Sequence, residues 1–236
     1  TKVDHQFEKK VRDITALKTE IETFRTRSEE ITKATQGLTS ALKGEVKTQG
    51  NWGELILTKV LEASGLREGH EYTLQGKEMG LTNEQGQSMR PDVIVHLPDA
   101  KHIIVDSKVS LVSYEQMATA ESDSAYELAQ TKFLQSIKKH IDDLSKKKYH
   151  HVEKLITPEF VLLFIPIEGA FSLAMGQDTT LYGYAWNKNI VLVSPTTLLA
   201  TLRTIESLWK MDRQNQNAFE IARQAGALYD KFVNFV

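Results

Sequence analysis

The chain has 236 residues, of which 41% are hydrophobic and 25% are charged, a composition typical of a globular protein with one or two domains. Its formal net charge of −2 gives no overall attraction to nucleic acid, so any DNA binding must come from local basic patches. The absence of cysteine excludes disulfides, zinc–thiolate sites and cysteine nucleophiles. No glycine-rich phosphate loop and no Gly-x-Ser-x-Gly elbow is present, which disfavours NTP-driven motors and serine hydrolases.

The first 48 residues predict one long helix with a coiled-coil seam. Alternating steps of four and three from Val3 to Leu42 pass through twelve positions, nine of them apolar. A long amphipathic helix packed on its own domain would give the same pattern, but so narrow a stripe suits another helix better than a sheet. We therefore expect a coiled-coil helix over 1–48 that makes the protein a homo-oligomer, followed by a globular domain over 49–236.

The globular part alternates between strand and helix patterns. Strand patterns lie at 71–75, 91–97, 102–109, 160–166 and 190–194. Helical patterns lie at 51–65, 111–144, 170–187 and from 196 to the end, with Ser64-Gly65 as a C-terminal stop and Ser194-Pro195 as an N-terminal cap. The order predicts an α/β fold in which helices flank a mixed central sheet. Four residues in 170–187 are predicted to be core: Met175, Tyr182, Tyr184 and Trp186.

The segment "RPDVIVHLPDAKHIIVDSKVS", residues 90–110, predicts a hairpin that carries charges where strands are normally apolar. If Pro98-Asp99-Ala100 gives an odd-length loop, Leu97 pairs with Lys101 and Asp92 lies directly opposite Asp106. An even-length loop would place the two aspartates on opposite faces of the sheet.

Two carboxylates facing each other across a strand pair, with Cβ atoms about 5 Å apart, repel strongly unless a cation lies between them. Mg²⁺ or Mn²⁺ suits such oxygen ligands. Lys108, on the same face as Asp106, would orient or deprotonate an attacking water. Glu54, on the helical face of Leu57 and Leu61, would add a third carboxylate.

Simpler explanations fit the same residues, because Pro-Asp is ordinary turn chemistry and a Lys–Asp pair within a strand is often a cross-strand ion pair. The combination of a helix glutamate, a strand aspartate and Asp-x-Lys on the next strand nevertheless matches the PD-(D/E)xK nuclease arrangement.

Further candidates for DNA contact are weaker. Lys146, Lys147 and Lys148, with Tyr149 nearby, would contact phosphates or stack a base, although such a run is more often the solvated end of a helix. Arg90 adjoins Asp92 and would hold a phosphate. Glu168 follows the strand at 160–166 and would line a cleft at the strand ends.

Several long blocks resemble the RmuC proteins: "NWGELILTKVLEASGL", the hairpin itself, "TPEFVLLFIPIEGAF", "IVLVSPTTLLATLRTIESLW" and "NAFEIARQAGALYDKFVNFV". The resemblance covers nearly all of 51–236. It implies a PD-(D/E)xK nuclease fold behind a coiled coil, in proteins of DNA recombination that are thought to limit rearrangements at inverted repeats.

Carried over residue by residue, the resemblance places metal ligands at Asp92, Asp106 and the Ser107 backbone carbonyl, the catalytic lysine at Lys108 and the helix carboxylate at Glu54. It implies a Mg²⁺- or Mn²⁺-dependent DNA nuclease in the cytoplasm. RmuC proteins often carry an N-terminal membrane anchor, which in this case would lie outside the sequence. No membrane span is expected within the sequence itself, since it has no run of 18 apolar residues. Two alternatives remain open: a non-catalytic DNA-binding scaffold that retains the fold, and a structural coiled-coil adaptor.

Overall fold

The computed structural model describes residues 18–19, 21–30, 46–75, 81–82, 88–107, 112–147, 149 and 160–233. Within these ranges the strands are β1 (Tyr72–Leu74), β2 (Val93–His96), β3 (His102–Asp106), β4 (Val161–Phe164) and β5 (Ile190–Val193). The helices are α1 (21–30), α2 (Val46–Ser64), α3 (Val112–Ala118), α4 (Asp123–Lys146), α5 (Glu168–Gln177), α6 (Leu181–Trp186) and α7 (Pro195–Val233).

The strands form one mixed sheet in chain order, β1-β2-β3-β4-β5. The first three are antiparallel neighbours, and β3, β4 and β5 are parallel. Parallel neighbours need long crossovers, which α3–α4 and α5–α6 supply. The carboxyl ends of β3, β4 and β5 therefore meet at one edge of the sheet, and the start of antiparallel β2 lies at that same edge. We call this edge the carboxyl edge.

The β2–β3 hairpin has the predicted odd-length register. Val93 pairs with Val105 and His96 with His102, and the Leu97 N–H donates to the Lys101 carbonyl at 2.8 Å. The turn closes through Asp99, whose φ of 61° lies in the left-handed region that aspartate tolerates better than most residues. Asp92, one residue before β2, therefore lies level with Asp106 at the end of β3.

The sheet is buried on both faces. All four residues of β4 are buried, as are the last four residues of β3, and consecutive strand residues point to opposite sides. Helices must therefore cover both faces, which is the usual arrangement for parallel strands. The prediction of an α/β fold with helices and a mixed sheet is confirmed, and the sheet has five strands.

Two predicted helical regions are each divided in the structure. The region 111–144 contains α3 and α4, because Ser122 takes an extended conformation and its Oγ accepts a hydrogen bond from the Ala125 N–H at 3.3 Å, which starts a new helix. The region 170–187 contains α5 and the short α6. The α2 helix ends at Ser64 as predicted, since Gly65 has a φ of +87°.

The final helix, α7, begins with the predicted cap. Pro195 is its first residue, and Ser194 and Thr197 exchange hydrogen bonds between hydroxyl and backbone N–H. Further along, the Trp209 Nε1–H donates to the His96 carbonyl at 2.9 Å, and Arg213 pairs with the buried Glu71 at 3.0 Å. These contacts fasten the first half of α7 to the β1–β2 side of the domain.

Most of the predicted coiled coil lies outside the described residues. In α1, two positions of the predicted seam contact the chain's own domain: Phe24 packs against the core, and the Ser28 hydroxyl lies 3.1 Å from the Thr196 hydroxyl at the start of α7. Arg27 also donates to the Ala63 carbonyl of α2. For this stretch the alternative of a helix packed on its own domain has direct support, while the coiled coil stays a prediction.

The prediction of Tyr182 and Trp186 as core residues is wrong. Both are about half exposed, at 49% and 55%, and their rings stack on each other with centroids 6.5 Å apart. The α6 helix spans less than two turns, so it buries only Leu181 and Ala185. Of the helices that the structure describes, none has the length and apolar character that crossing a membrane requires.

Candidate functional site

Asp92 and Asp106 form a carboxylate pair at the carboxyl edge. Asp106 is only 3% exposed, and Asp92 accepts a hydrogen bond from the Ser107 N–H at 2.7 Å through Oδ2. Burial, followed by the charge of Asp106, raises the pKa of Asp92 to about 6, against a smaller lowering by the Ser107 N–H. The pair therefore holds negative charge where charge is costly, as expected of a cation site.

The α2 helix brings Glu54 to the same edge. Glu54 and Asp92 line a small cavity of about 50 Å³, and the charge of Glu54 contributes to the raised pKa of Asp92. The close approach depends on Gly53, since a Cβ there would lie 3.2 Å from the Ser107 Oγ. Glu54 itself is exposed, so it borders the site and is not on the buried face with Leu57 as its sequence position suggested.

Lys147, at the end of α4, completes the group. Its Nζ lies 2.8 Å from Asp106 Oδ1 and 5.6 Å from the centre of the Tyr149 ring. Burial disfavours the ammonium, but Asp106 outweighs that cost and the pKa of Lys147 is raised. The sequence predicted Lys147 only as one of three DNA-contacting lysines. The helical stripe that buries Ile141 and Leu144 continues to Lys147, and this periodicity is the signal that would have identified it.

The residues present are compatible with a hard divalent ion. The Asp92 and Asp106 carboxylates supply oxygen ligands, and the buried Ser107 Oγ lacks a hydrogen-bond partner within the described structure, which is unusual for a buried hydroxyl. Among the described residues no three His, Asp or Glu side chains lie close enough to hold an ion alone. Mg²⁺ needs only one or two carboxylates when waters and a phosphate complete its shell.

Two of the predicted site residues, Lys108 and Lys148, lie outside the described residues, so their roles stay predictions. Arg90 is exposed two residues before Asp92. Lys146 is exposed and lies 3.5 Å from Asp143 on its own helix. Neither Arg90 nor Lys146 is brought against the carboxylate pair by any contact that the described structure shows.

Glu168 and Tyr149 have structural contacts that differ from their predicted roles. Glu168 lies at the carboxyl edge after β4, but its Oε2 accepts a hydrogen bond from the Thr196 N–H at 3.1 Å and so caps α7. Tyr149 is only 2% exposed, so its ring is not presented to a base. Burial raises the pKa of Tyr149 to about 12, which keeps its hydroxyl protonated beside the carboxylates.

Comparison with known proteins identifies the family. The chain is 46% identical over 235 residues to the DNA recombination protein RmuC homolog of Pseudomonas aeruginosa, covering 100% of this chain and 51% of that protein. It is 46% identical over 234 residues to the Vibrio cholerae homolog, with 99% and 45% covered. It is 44% identical over 234 residues to the DNA recombination protein RmuC of Escherichia coli K12, with 99% and 49% covered.

The chain thus spans about half the length of these curated relatives. No solved structure matches it. The family profile matches every residue from 1 to 236, so the resemblance of the sequence blocks is confirmed and the chain belongs to the RmuC family.

Proposed function

We propose that this chain contains the catalytic domain of a divalent-metal-dependent deoxyribonuclease with a PD-(D/E)xK core, acting in DNA recombination. The names of the relatives support the role in recombination. The proposed protein acts in the cytoplasm, hydrolyses phosphodiester bonds with Mg²⁺ or Mn²⁺, and forms a homo-oligomer through residues 1–48.

The observation that carries the proposal is the hairpin register. It brings Asp92 level with the buried Asp106, and the Ser107 N–H holds the Asp92 carboxylate at 2.7 Å. A fold gains no stability from two carboxylates in a half-buried site, so their juxtaposition is better explained by a ligand than by packing.

The proposed roles follow from position. Asp92 and Asp106 hold the ion, and Glu54 and the Ser107 carbonyl assist from the border of the site. A bound Mg²⁺ or Mn²⁺ would polarise the scissile phosphate and make a bound water more acidic. Lys108, as predicted from the Asp-x-Lys pattern, orients that water, while Lys147 keeps a positive charge at Asp106 that favours an incoming phosphate.

A second function has an observation in its favour. Because the Lys147 ammonium already pairs with Asp106 at 2.8 Å, the carboxylates have a partner without any metal. A DNA-binding scaffold that has lost catalysis would show the same ion pair. In that case DNA binding persists in chelator and no metal-dependent products form.

The test is calorimetric titration of Mn²⁺ into the purified protein, followed by DNA cleavage assays on the same samples. We compare wild type with Asp106→Asn and Lys108→Ala, and use Asp99→Asn as a matched control, since Asp99 is an exposed residue in the turn of the same hairpin. The nuclease proposal expects Mn²⁺ binding to be lost in Asp106→Asn alone, and cleavage to be lost in both site variants. Cleavage that survives in both variants rules out this site.

A further inference from the structure

A larger cavity, of about 350 Å³, is lined by Asp106 and by residues of α4. One face of α4 forms its wall, through residues spaced three and four apart. The described residues that line the cavity are Ser136, Lys139, His140, Asp143, Leu144 and Lys147, together with Asp106 itself. Because a helix rises about 1.5 Å per residue, this wall extends roughly 16 Å from the carboxylate pair along α4.

The charges on this wall are unevenly neutralised. Lys147 is paired with Asp106, and Asp143 lies 3.5 Å from Lys146. Lys139 is exposed on the cavity wall, and within the described part of the chain no carboxylate pairs with it. Among the described lining residues, Lys139 therefore offers its positive charge to an anionic group, at a helical distance of about 12 Å from Lys147.

The size of the cavity restricts its ligand. A volume near 350 Å³ is at the lower end of pockets that enclose a single small organic ligand. It accommodates one nucleotide but not a base pair. A nucleotide can reach such a pocket only from a single strand, a frayed end or a base turned out of the duplex.

We infer that this α4 cavity binds one unpaired nucleotide of the DNA strand, with its phosphate on Lys139 and another phosphate of the same strand at the carboxylate pair. The inference rests on the proposed nuclease function for the placement of the second phosphate. It adds the substrate class: a strand with at least one unpaired nucleotide near the cleaved bond, and not an intact duplex.

The probe is thymidine 5′-monophosphate, titrated in chelator so that binding does not depend on a metal, and followed by NMR. Lys139→Glu reverses the charge on the wall, and Ser136→Phe fills the cavity from the same helix face. The matched control is Lys132→Glu, which makes the same change at an exposed position of α4 outside the cavity. Thermal unfolding of each variant shows whether α4 stays folded.

We expect wild type and Lys132→Glu to bind the nucleotide alike, and both cavity variants to bind at least tenfold more weakly, as loss of a charge-assisted contact requires. Thymidine without phosphate should also bind more weakly. Absence of saturable binding at millimolar concentrations, or binding unaffected by both cavity variants, overturns the inference.

The two proposals fail separately. If nucleotide binding depends on Lys139 but the protein cleaves no DNA under any condition, the nucleotide site is supported and the nuclease proposal is wrong. If the protein cleaves DNA in a metal-dependent way but does not bind the nucleotide, the nuclease proposal is supported and the nucleotide site in the cavity is excluded.

Discussion

The Lys147 ammonium lies 2.8 Å from the carboxylate of Asp106, although 41 positions separate the two residues in the sequence. This contact joins the end of α4 to the end of β3 and places a cation where the proposed ion would be expected. Lys147 therefore has two effects at once: it stabilises the carboxylate pair without metal, and it competes with any metal for Asp106.

Lys147→Met separates these effects. Without the ammonium, the buried Asp106 carboxylate loses its partner, so we expect the free energy of unfolding without metal to fall by about 1 to 3 kcal/mol. Mn²⁺ should bind several-fold more tightly, because no side-chain ammonium competes for the carboxylate. Urea denaturation and calorimetry measure the two quantities. Lys146→Met, on the exposed neighbour, should change neither, and weaker Mn²⁺ binding in Lys147→Met would contradict the competition.

Asp92→Asn should stabilise the protein at neutral pH. A carboxyl group with a pKa of about 6 in the fold, against 3.8 ordinarily, destabilises the fold by on the order of 2 to 3 kcal/mol at pH 7. This reduction in the free energy of unfolding is present above pH 6, where Asp92 is ionised in the folded protein. It disappears as the pH falls towards 4, because the carboxyl group then becomes protonated in both the folded and the unfolded protein. The stability gain of the variant should shrink across the same interval.

Urea denaturation of wild type and Asp92→Asn at a series of pH values checks this. Asp99→Asn, in the turn of the same hairpin, should show no such gain. A variant less stable than wild type at pH 7 would mean that the hydrogen bond from Ser107 outweighs burial. Loss of Mn²⁺ binding with increased stability would be the usual sign of a functional site.

Gly169, in the first turn of α5, should not tolerate alanine. A Cβ there would lie 2.7 Å from the Tyr114 hydroxyl, a clash that forces the ring or the helix to move. We expect Gly169→Ala to lower the free energy of unfolding by about 1 to 2 kcal/mol. In a Tyr114→Phe background the nearest atom is Cζ at 3.9 Å, so the substitution should be neutral or favourable. A double-mutant cycle by denaturation measures the coupling, and purely additive effects would contradict it.

Two N-terminal truncations distinguish self-association from packing within the chain. Removing residues 1–17 deletes much of the predicted seam but keeps Phe24 and Ser28, so we expect a monomer of unchanged stability. Removing residues 1–30 also deletes those contacts and should lower the free energy of unfolding by about 2 kcal/mol. Light scattering measures the oligomeric state, and denaturation measures the free energy of unfolding. An oligomeric state that stays the same as in wild type in both truncations would exclude the seam as the oligomer contact.

The hairpin was predictable because its information is local. Short continuous apolar runs define β2 and β3, and the three-residue turn fixes which side chains face each other, so the level position of Asp92 and Asp106 followed from counting. The N-terminal cap at Ser194-Pro195 and the end of α2 at Gly65 were also predictable, because neighbouring residues in the sequence specify them.

The predictions fail where tertiary contacts determine the position and the partner of a side chain. The helical periodicity of α4 indicates that Lys147 lies on the buried side, but its ion pair with Asp106 depends on how α4 lies against the sheet, which that periodicity does not encode. Glu168 lies at the predicted edge, but whether its carboxylate faces a cleft or caps α7 depends on the position of another helix. The α6 helix is too short for its periodicity to separate the exposed Tyr182 and Trp186 from the buried Leu181.

The long α7 helix begins beside the site, where Glu168 caps its first turn. Among the residues that the structure describes, Trp209 and Arg213 make the hydrogen bond and the ion pair that join α7 to the β1–β2 side. From residue 214 to Val233 it continues for about 30 Å, with its described side chains exposed. A continuous helix resists changes in its length, because each residue adds a rise of about 1.5 Å. A molecule bound to the outer half of α7 would therefore be held at a set distance from the carboxylate pair.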